Sequence, residues 1–111
     1  MELKSDLKGV FDKFKKADRV KKLIDSFIAT FDEEFAKYKN AIEQNDYDLA
    51  QKAIHTIKGV SGNIGLVQLH ELCVEIDRKL KDNQEADYVE YGNRAKEFFE
   101  QIKTETKMIF S

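Results

Sequence analysis

The chain has 111 residues, a formal net charge of −2, one cysteine and no proline. That length fits one domain with one core, the near-neutral charge gives no electrostatic case for nucleic acid, and a lone cysteine excludes an intramolecular disulfide. No run of about 18 apolar residues is present to cross a membrane, and the first residues lack the apolar stretch of a signal peptide. We therefore expect one domain in the cytoplasm, largely helical because charged residues are abundant and proline is absent.

Helical periodicity starts close to the N-terminus. Residues 1–7 carry little pattern and are expected to be mobile, while Ser5 or Asp6 is expected to cap a short helix. The apolar face of that helix consists of Leu7, Val10, Phe11 and Phe14.

A much longer helix follows. Asp18 is predicted to be its N-cap, and the pattern fades between Asn40 and Asn45. Its apolar residues keep helical spacing over about six turns: Val20, Leu23, Ile24, Phe27, Ile28, Phe31, Phe35, Tyr38 and Ile42. So long an apolar stripe needs equally long partners.

Three further helices complete the pattern. Asp46 is predicted to cap the third, which covers about residues 46–62, and Asn63 suits a left-handed C-terminal position. The fourth follows Gly65, and a polar turn at residues 81–84 separates it from the last. The apolar positions of the fourth and fifth helices are Leu66, Leu69, Leu72, Cys73, Ile76 and Leu80, then Tyr88, Tyr91, Ala95, Phe98, Phe99, Ile102, Thr106 and Ile109.

Four long amphipathic helices with short polar connections predict an all-α fold. The arrangement that buries such stripes is an antiparallel up-down-up-down four-helix bundle. The short first helix is expected to cap it. No alternating strand pattern occurs in the sequence, so residues 1–111 are predicted to form a single domain.

The third helix carries a histidine away from its apolar stripe. His55 lies about 100° round the helix from the stripe residue Ile54 and should face water. Gly59 and Gly62 share the face of His55, although glycine inside a helix costs roughly 1 kcal/mol relative to alanine. Bare backbone there would let another protein approach the imidazole closely, and Lys58 flanks the same patch.

The residues His55-Thr56-Ile57-Lys58-Gly59-Val60-Ser61-Gly62-Asn63-Ile64-Gly65 resemble the signature of histidine-containing phosphotransfer (HPt) domains. These domains carry a phosphoryl group on the histidine between aspartates of receiver domains in phosphorelays. The resemblance implies that His55 accepts phosphate, that Lys58 stabilises its charge, and that the partners are response-regulator receivers, a hybrid sensor kinase, or both. It also implies that Phe11 and Phe14 of the short first helix close one end of the bundle.

The expected chemistry needs little from this chain beyond a nucleophile. Imidazole is largely neutral near pH 7, so one ring nitrogen, most plausibly Nε2, has a free lone pair. The sequence holds no Walker-type loop, nucleotide-binding glycine fingerprint or evident Mg²⁺ cage. We therefore expect no cofactor on this chain and no kinase or phosphatase activity, with Mg²⁺ supplied by the receiver.

Residues around the presented face are expected to form the docking surface. Helical spacing selects Gly59, Gly62, Asp48, Lys52 and Thr56, together with the turn Asn63-Ile64. Apolar residues of the second helix are expected to border this surface.

The histidine, the lysine and the two glycines of the presented face each have a simpler interpretation. His55 and Lys58 would be ordinary solvated side chains, and both glycines would serve close packing inside the bundle. Ser61 is expected to turn inward or to bond the preceding turn.

Other chemistry-bearing residues favour the simpler interpretation. His70 and Cys73 are a poor zinc pair without further ligands, so we expect His70 at the surface and Cys73 half-buried. The phenylalanine row of the second helix is expected to be core. The basic residues Lys13, Lys15, Lys16, Lys21 and Lys22 are a solvated face or, alternatively, steer an acidic receiver.

Two other functions stay open at this stage. One is a non-catalytic adaptor that binds a receiver or another partner without accepting phosphate. The other is a phosphorylatable segment of a larger sensor kinase, although the Met1 start and compact length favour a free-standing protein. The polar surface of a closed bundle suggests a monomer.

Overall fold

The computed structural model describes residues 7–14 and 17–110, apart from the side chains of residues 11, 13, 14 and 17. The described chain is helical, with no strand among those residues, and its helices are α1 (Leu7–Phe14), α2 (Ala17–Glu43), α3 (Tyr47–Ile64), α4 (Val67–Lys81) and α5 (Tyr88–Phe110). The predictions for Ser5, Asp6 and the side chains of Phe11 and Phe14 fall outside the described residues.

The four long helices form the expected bundle. Contacts join α2 to α3, α3 to α4, α4 to α5 and α5 back to α2, while α1 packs on α2. The connections are short enough to force neighbouring helices to run antiparallel. The molecule is 41 Å long and 21 Å across, and no helix in its described part is long and apolar enough to cross a membrane.

The core is aromatic on one side and aliphatic on the other. Phe31 of α2 stacks on Phe99 of α5 with ring centroids 3.9 Å apart, and Phe27 meets the same Phe99 ring edge-on at 5.9 Å. Between α3 and α4 the buried residues are smaller: Ala50, Ala53, Ile54, Ile57, Leu69, Leu72, Cys73 and Ile76. The predicted phenylalanine row of α2 is therefore core, as its spacing indicated.

Helix α3 begins where the sequence predicts and ends later. Asp46 is its N-cap, and the Asp46 side chain accepts a hydrogen bond from the backbone N–H of Leu49 at 3.2 Å. At the C-terminus the left-handed residue is Gly65, with φ of 90°, rather than Asn63, which is still helical. The N–H of Gly65 bonds the carbonyl of Gly62 and the N–H of Leu66 bonds that of Ser61, which is a Schellman motif.

Four smaller predictions also need correction. Ile64 is 7% exposed and belongs to the core, so it forms no turn surface. Asp18 lies inside the first turn of α2 and is not its cap. Leu7, grouped with the mobile N-terminal residues, is buried in α1. Cys73 is fully buried, not half-buried.

Candidate functional site

Helix α3 presents His55 to solvent because the apolar residues before and after it, Ile54 and Ile57, face the core. Ile54 and Ile57 are fully buried, whereas the His55 side chain is 60% exposed. The helix is fixed at both ends, by the Asp46 cap and the Gly65 turn. His55 therefore stands on the outer face of a helix whose rotation about its own axis is set by the core.

A buried carboxylate lies beside the imidazole on the α4 side. Asp77 is 3% exposed, and its Oδ2 lies 2.7 Å from Nζ of Lys58 and 3.4 Å from Nζ of Lys81. Its other oxygen, Oδ1, accepts a hydrogen bond from Nε2 of Gln51 at 2.7 Å. Four side chains from α3 and α4 thus form one charged cluster, which we call the Asp77 cluster: Gln51, Lys58, Asp77 and Lys81.

These partners keep Asp77 ionised despite its burial. Burial by itself raises the pKa of the carboxyl group, but hydrogen bonds from Lys58 and Gln51 and the charges of Lys58 and Lys81 outweigh it. The pKa of Asp77 consequently lies below its ordinary value. The carboxylate is a full negative charge at neutral pH.

The imidazole sits at the edge of this cluster without joining it. Nδ1 of His55 is 4.0 Å from Oδ2 of Asp77, which is beyond hydrogen-bond distance. Since the Nδ1 edge lies on the α4 side, Nε2 is the nitrogen better placed to meet a reactant arriving from solvent. The arrangement can present a nucleophile next to two lysines and one carboxylate.

The two glycines of the presented face have different surroundings. A Cβ built on Gly59 would meet no atom within 4 Å, so the backbone one turn beyond His55 is open. A Cβ on Gly62 would come within 2.7 Å of Nδ1 of His70. Close packing inside the bundle, the simpler interpretation, therefore accounts for Gly62, and the backbone there is partly covered by the His70 ring.

His70 packs against α3 through a polar contact as well. Its Nδ1 lies 2.8 Å from the carbonyl oxygen of Lys58, so the ring fixes the helix segment that carries Lys58. Ser61 is buried and its hydroxyl donates to the carbonyl of Ile57 at 2.7 Å, as expected. Among the described residues no three His, Cys, Asp or Glu side chains are grouped to hold a metal ion.

The remaining predicted docking residues spread over the outer face and the α2 flank. Asp48, Lys52, Thr56 and Asn63 are all exposed. Lys52 and Thr56 line a groove between α3 and α2, together with the half-exposed Leu49. The groove's α2 wall is formed by Glu34, Lys37, Asn40 and Ala41, which are mainly polar, so the expected apolar border from the second helix is slight.

The centre of the charged cluster was not among the residues predicted from the sequence. Asp77 follows Cys73 by four residues and precedes Leu80 by three, so it occupies the apolar stripe of α4. A charged residue on such a stripe is a signal that could have been used, because a buried carboxylate requires partners. Lys81 is four residues further along the same helix and could have been identified as a partner from helical spacing, whereas Gln51 and Lys58 become apparent only once α3 and α4 are packed in register.

Comparisons with known proteins bear on the family and the fold. The Hpt domain family model matches residues 22–105, a segment that includes His55 and the whole Asp77 cluster. No curated protein sequence matches the chain.

Among solved structures, the chain is similar to histidine-containing phosphotransfer protein B (HptB) from Pseudomonas aeruginosa PAO1. The two share 20% sequence identity with a TM-score of 0.78, over 92% of this chain and 87% of that chain. At this identity the likeness concerns the fold. The family match spans most of the sequence, and the chain belongs to the Hpt domain family.

Proposed function

We propose that this chain is a histidine phosphotransfer protein of a phosphorelay. In this proposal His55 accepts a phosphoryl group from the aspartyl phosphate of a receiver domain and passes it to an aspartate of another receiver. The observation that carries the proposal is an imidazole that is 60% exposed beside an ordered lysine, Lys58, whose Nζ lies 2.7 Å from Asp77. A hybrid sensor kinase with its own receiver is an equally suitable donor.

The proposed step is an in-line displacement at phosphorus. The lone pair of Nε2 forms the P–N bond, the P–O bond to the receiver's aspartate breaks, and its electron pair returns to the carboxylate oxygen. Nδ1 keeps its proton during the attack. Lys58 offsets part of the negative charge of the transferred group, and the receiver contributes Mg²⁺ and the acidic pocket that holds it.

The working form of the protein is proposed to be a monomer in the cytoplasm without kinase or phosphatase activity of its own. Docking would use the outer face of α3. Gly59 allows close approach there, and Asp48, Lys52, Thr56 and Asn63 offer exposed polar contacts around it. Gly62 would contribute only at the edge, because His70 already lies against it.

The test is transfer from a purified receiver domain labelled with radioactive phosphate. The chain should acquire a label that is stable in base and labile in acid, and His55→Gln should abolish it. The chain contains two histidines, so His70→Gln is the matched control and should keep the label. Equal labelling of the His55→Gln variant contradicts the proposal. Binding of the receiver with no label on the wild-type chain would instead identify a non-catalytic adaptor.

A further inference from the structure

The Asp77 cluster gathers two ammonium groups around a carboxylate oxygen that lies 4.0 Å from Nδ1 of His55, and the carboxylate cancels one of the two positive charges. Lys58 and Lys81 come from different helices, yet both ammonium groups lie within 3.4 Å of the same carboxylate oxygen. The Asp77 side chain is 5% exposed and the Lys58 side chain 22% exposed, so solvent screens this pair less than a surface ion pair. The net charge of the three groups is +1 instead of +2.

A phosphoryl group on His55 would depend on the same groups. It carries negative charge that the two ammonium groups attract and the carboxylate repels. Asp77 also competes for the donors, because an ammonium already bonded to a carboxylate has fewer hydrogens to offer a phosphate oxygen. Both effects make the phosphorylated state less favourable than it would be beside the lysines alone.

We propose that Asp77 sets the phosphotransfer equilibrium of His55, holding the phosphoryl group weakly so that it passes readily to an acceptor carboxylate. This inference rests on the proposed function and specifies the regulation of its site. Asp77 acts as a positioning and charge-balancing residue that touches Lys58 and Lys81, and it does not itself react.

The onward step shows why this charge balance matters. An acceptor carboxylate oxygen forms a new P–O bond, the P–Nε2 bond breaks, and its electron pair returns to Nε2. The departing imidazole is neutral if Nδ1 carries a proton during this step. Oδ2 of Asp77 lies 4.0 Å from Nδ1, so its negative charge is on the side of the ring that the phosphoryl group leaves behind.

A substitution that keeps shape and removes charge isolates this effect. Asp77→Asn retains an oxygen that can accept a hydrogen bond, while the site gains one unit of positive charge. Glu71→Gln is the matched control, because Glu71 is an exposed carboxylate on the same helix. Asp77→Glu restores the charge and should return the equilibrium towards the wild-type value.

The first measurement needs no receiver. The chain is phosphorylated with phosphoramidate, and the chemical shift of the phosphoryl group is followed by phosphorus NMR against pH. The midpoint of this phosphoryl titration should fall by about half a pH unit or more in Asp77→Asn, because added positive charge favours the doubly ionised phosphoryl group. It should stay unchanged in Glu71→Gln. A midpoint that is unmoved or raised in Asp77→Asn overturns the inference.

The second measurement is the equilibrium distribution of phosphate between the chain and a receiver phosphorylated with acetyl phosphate. Asp77→Asn should shift it towards His55 by about fivefold to tenfold, a modest Coulomb effect for a partly exposed site. A purely structural role would lower the melting temperature without moving this ratio. If Asp77→Asn fails to fold, Lys81→Met tests the inference instead. Loss of this cation should raise the midpoint of the phosphoryl titration and shift the phosphate distribution towards the receiver.

The outcomes separate the two proposals. Labelling by phosphoramidate but by no receiver contradicts the proposed function and leaves the NMR titration to decide the role of Asp77. Labelling by neither reagent overturns both.

Discussion

At the scale of single residues, the two glycines on the face of His55 have different physical reasons for being glycine. Gly59 has open space where a Cβ would lie, whereas Gly62 has the His70 ring there. Helix propensity alone opposes both residues equally. Packing explains only Gly62, so Gly59 is the position at which room for a partner is the better account.

We predict that Gly59→Ala stabilises the protein and slows phosphotransfer. The free energy of unfolding should rise by about 0.5–1 kcal/mol, because alanine favours a helix interior and its methyl group meets nothing. Urea denaturation measures the first effect, and the initial rate of labelling by a receiver measures the second. A stabilised variant with an unchanged labelling rate would show that Gly59 does not belong to the docking surface.

Gly62→Ala should not show the same stabilisation. Its methyl group would approach Nδ1 of His70 to 2.7 Å and displace the contact of that nitrogen with the Lys58 carbonyl. We expect Gly62→Ala to be less stable than Gly59→Ala by about 1–2 kcal/mol. In a His70→Ala background that difference should largely disappear, which a double-mutant cycle would measure.

At the scale of helices, α3 is defined by its two ends. The Asp46 carboxylate accepts the N–H of Leu49 at 3.2 Å, so Asp46→Ala should lower the free energy of unfolding by about 1 kcal/mol and the melting temperature by about 4 °C. Asp48→Ala is the control, since Asp48 lies in the first turn but is not the cap. Equal losses from the two variants would show that charge near the helix start, rather than the cap, carries the effect.

The start of α3 followed from local sequence, and its end did not. A carboxylate cap needs only residues within one turn, whereas Asn63 and Gly65 are both plausible left-handed residues. The packing decides between them. Ile64 continues the stripe of Ile57 and Ser61 and is buried, so the helix extends until that side chain reaches the core.

The candidate site likewise has one part that local sequence predicts and one part that depends on packing. The exposure of His55 follows from one helix and its period, so the sequence predicted it. The Asp77 cluster depends on which residues of α4 face which residues of α3, and helical period gives no register between helices. The sequence could indicate that Asp77 needed partners and that Lys81, at i+4 on the same helix, was one of them, but only the packed bundle identifies Lys58 and Gln51 as the others.

At the scale of the whole molecule, a buried thiol links stability to pH. Burial, together with the charge of Asp77, raises the pKa of Cys73 from its ordinary 9.0 to about 12. Because the folded-state pKa is the higher one, the stabilisation is complete below pH 9 and is lost as pH rises towards 12. Between pH 9 and 10 the unfolded thiol ionises while the folded thiol does not.

We therefore predict that the free energy of unfolding falls between pH 9 and 10, by about 1 kcal/mol more in the wild type than in Cys73→Ala. Urea denaturation at several pH values across this interval measures it. The variant will be less stable at every pH because it leaves a small cavity, so the slope is the relevant quantity. Parallel slopes would mean that the thiol ionises equally easily in both states.

All members of the Asp77 cluster, and His55 itself, belong to α3 and α4, which are joined by the short turn at Gly65. The stacked aromatic rings lie between α2 and α5 instead. The reactive groups and the aromatic rings thus occupy opposite halves of the molecule. Substitutions that rearrange the rings therefore need not disturb the reactive groups, provided that α3 and α4 keep their alignment.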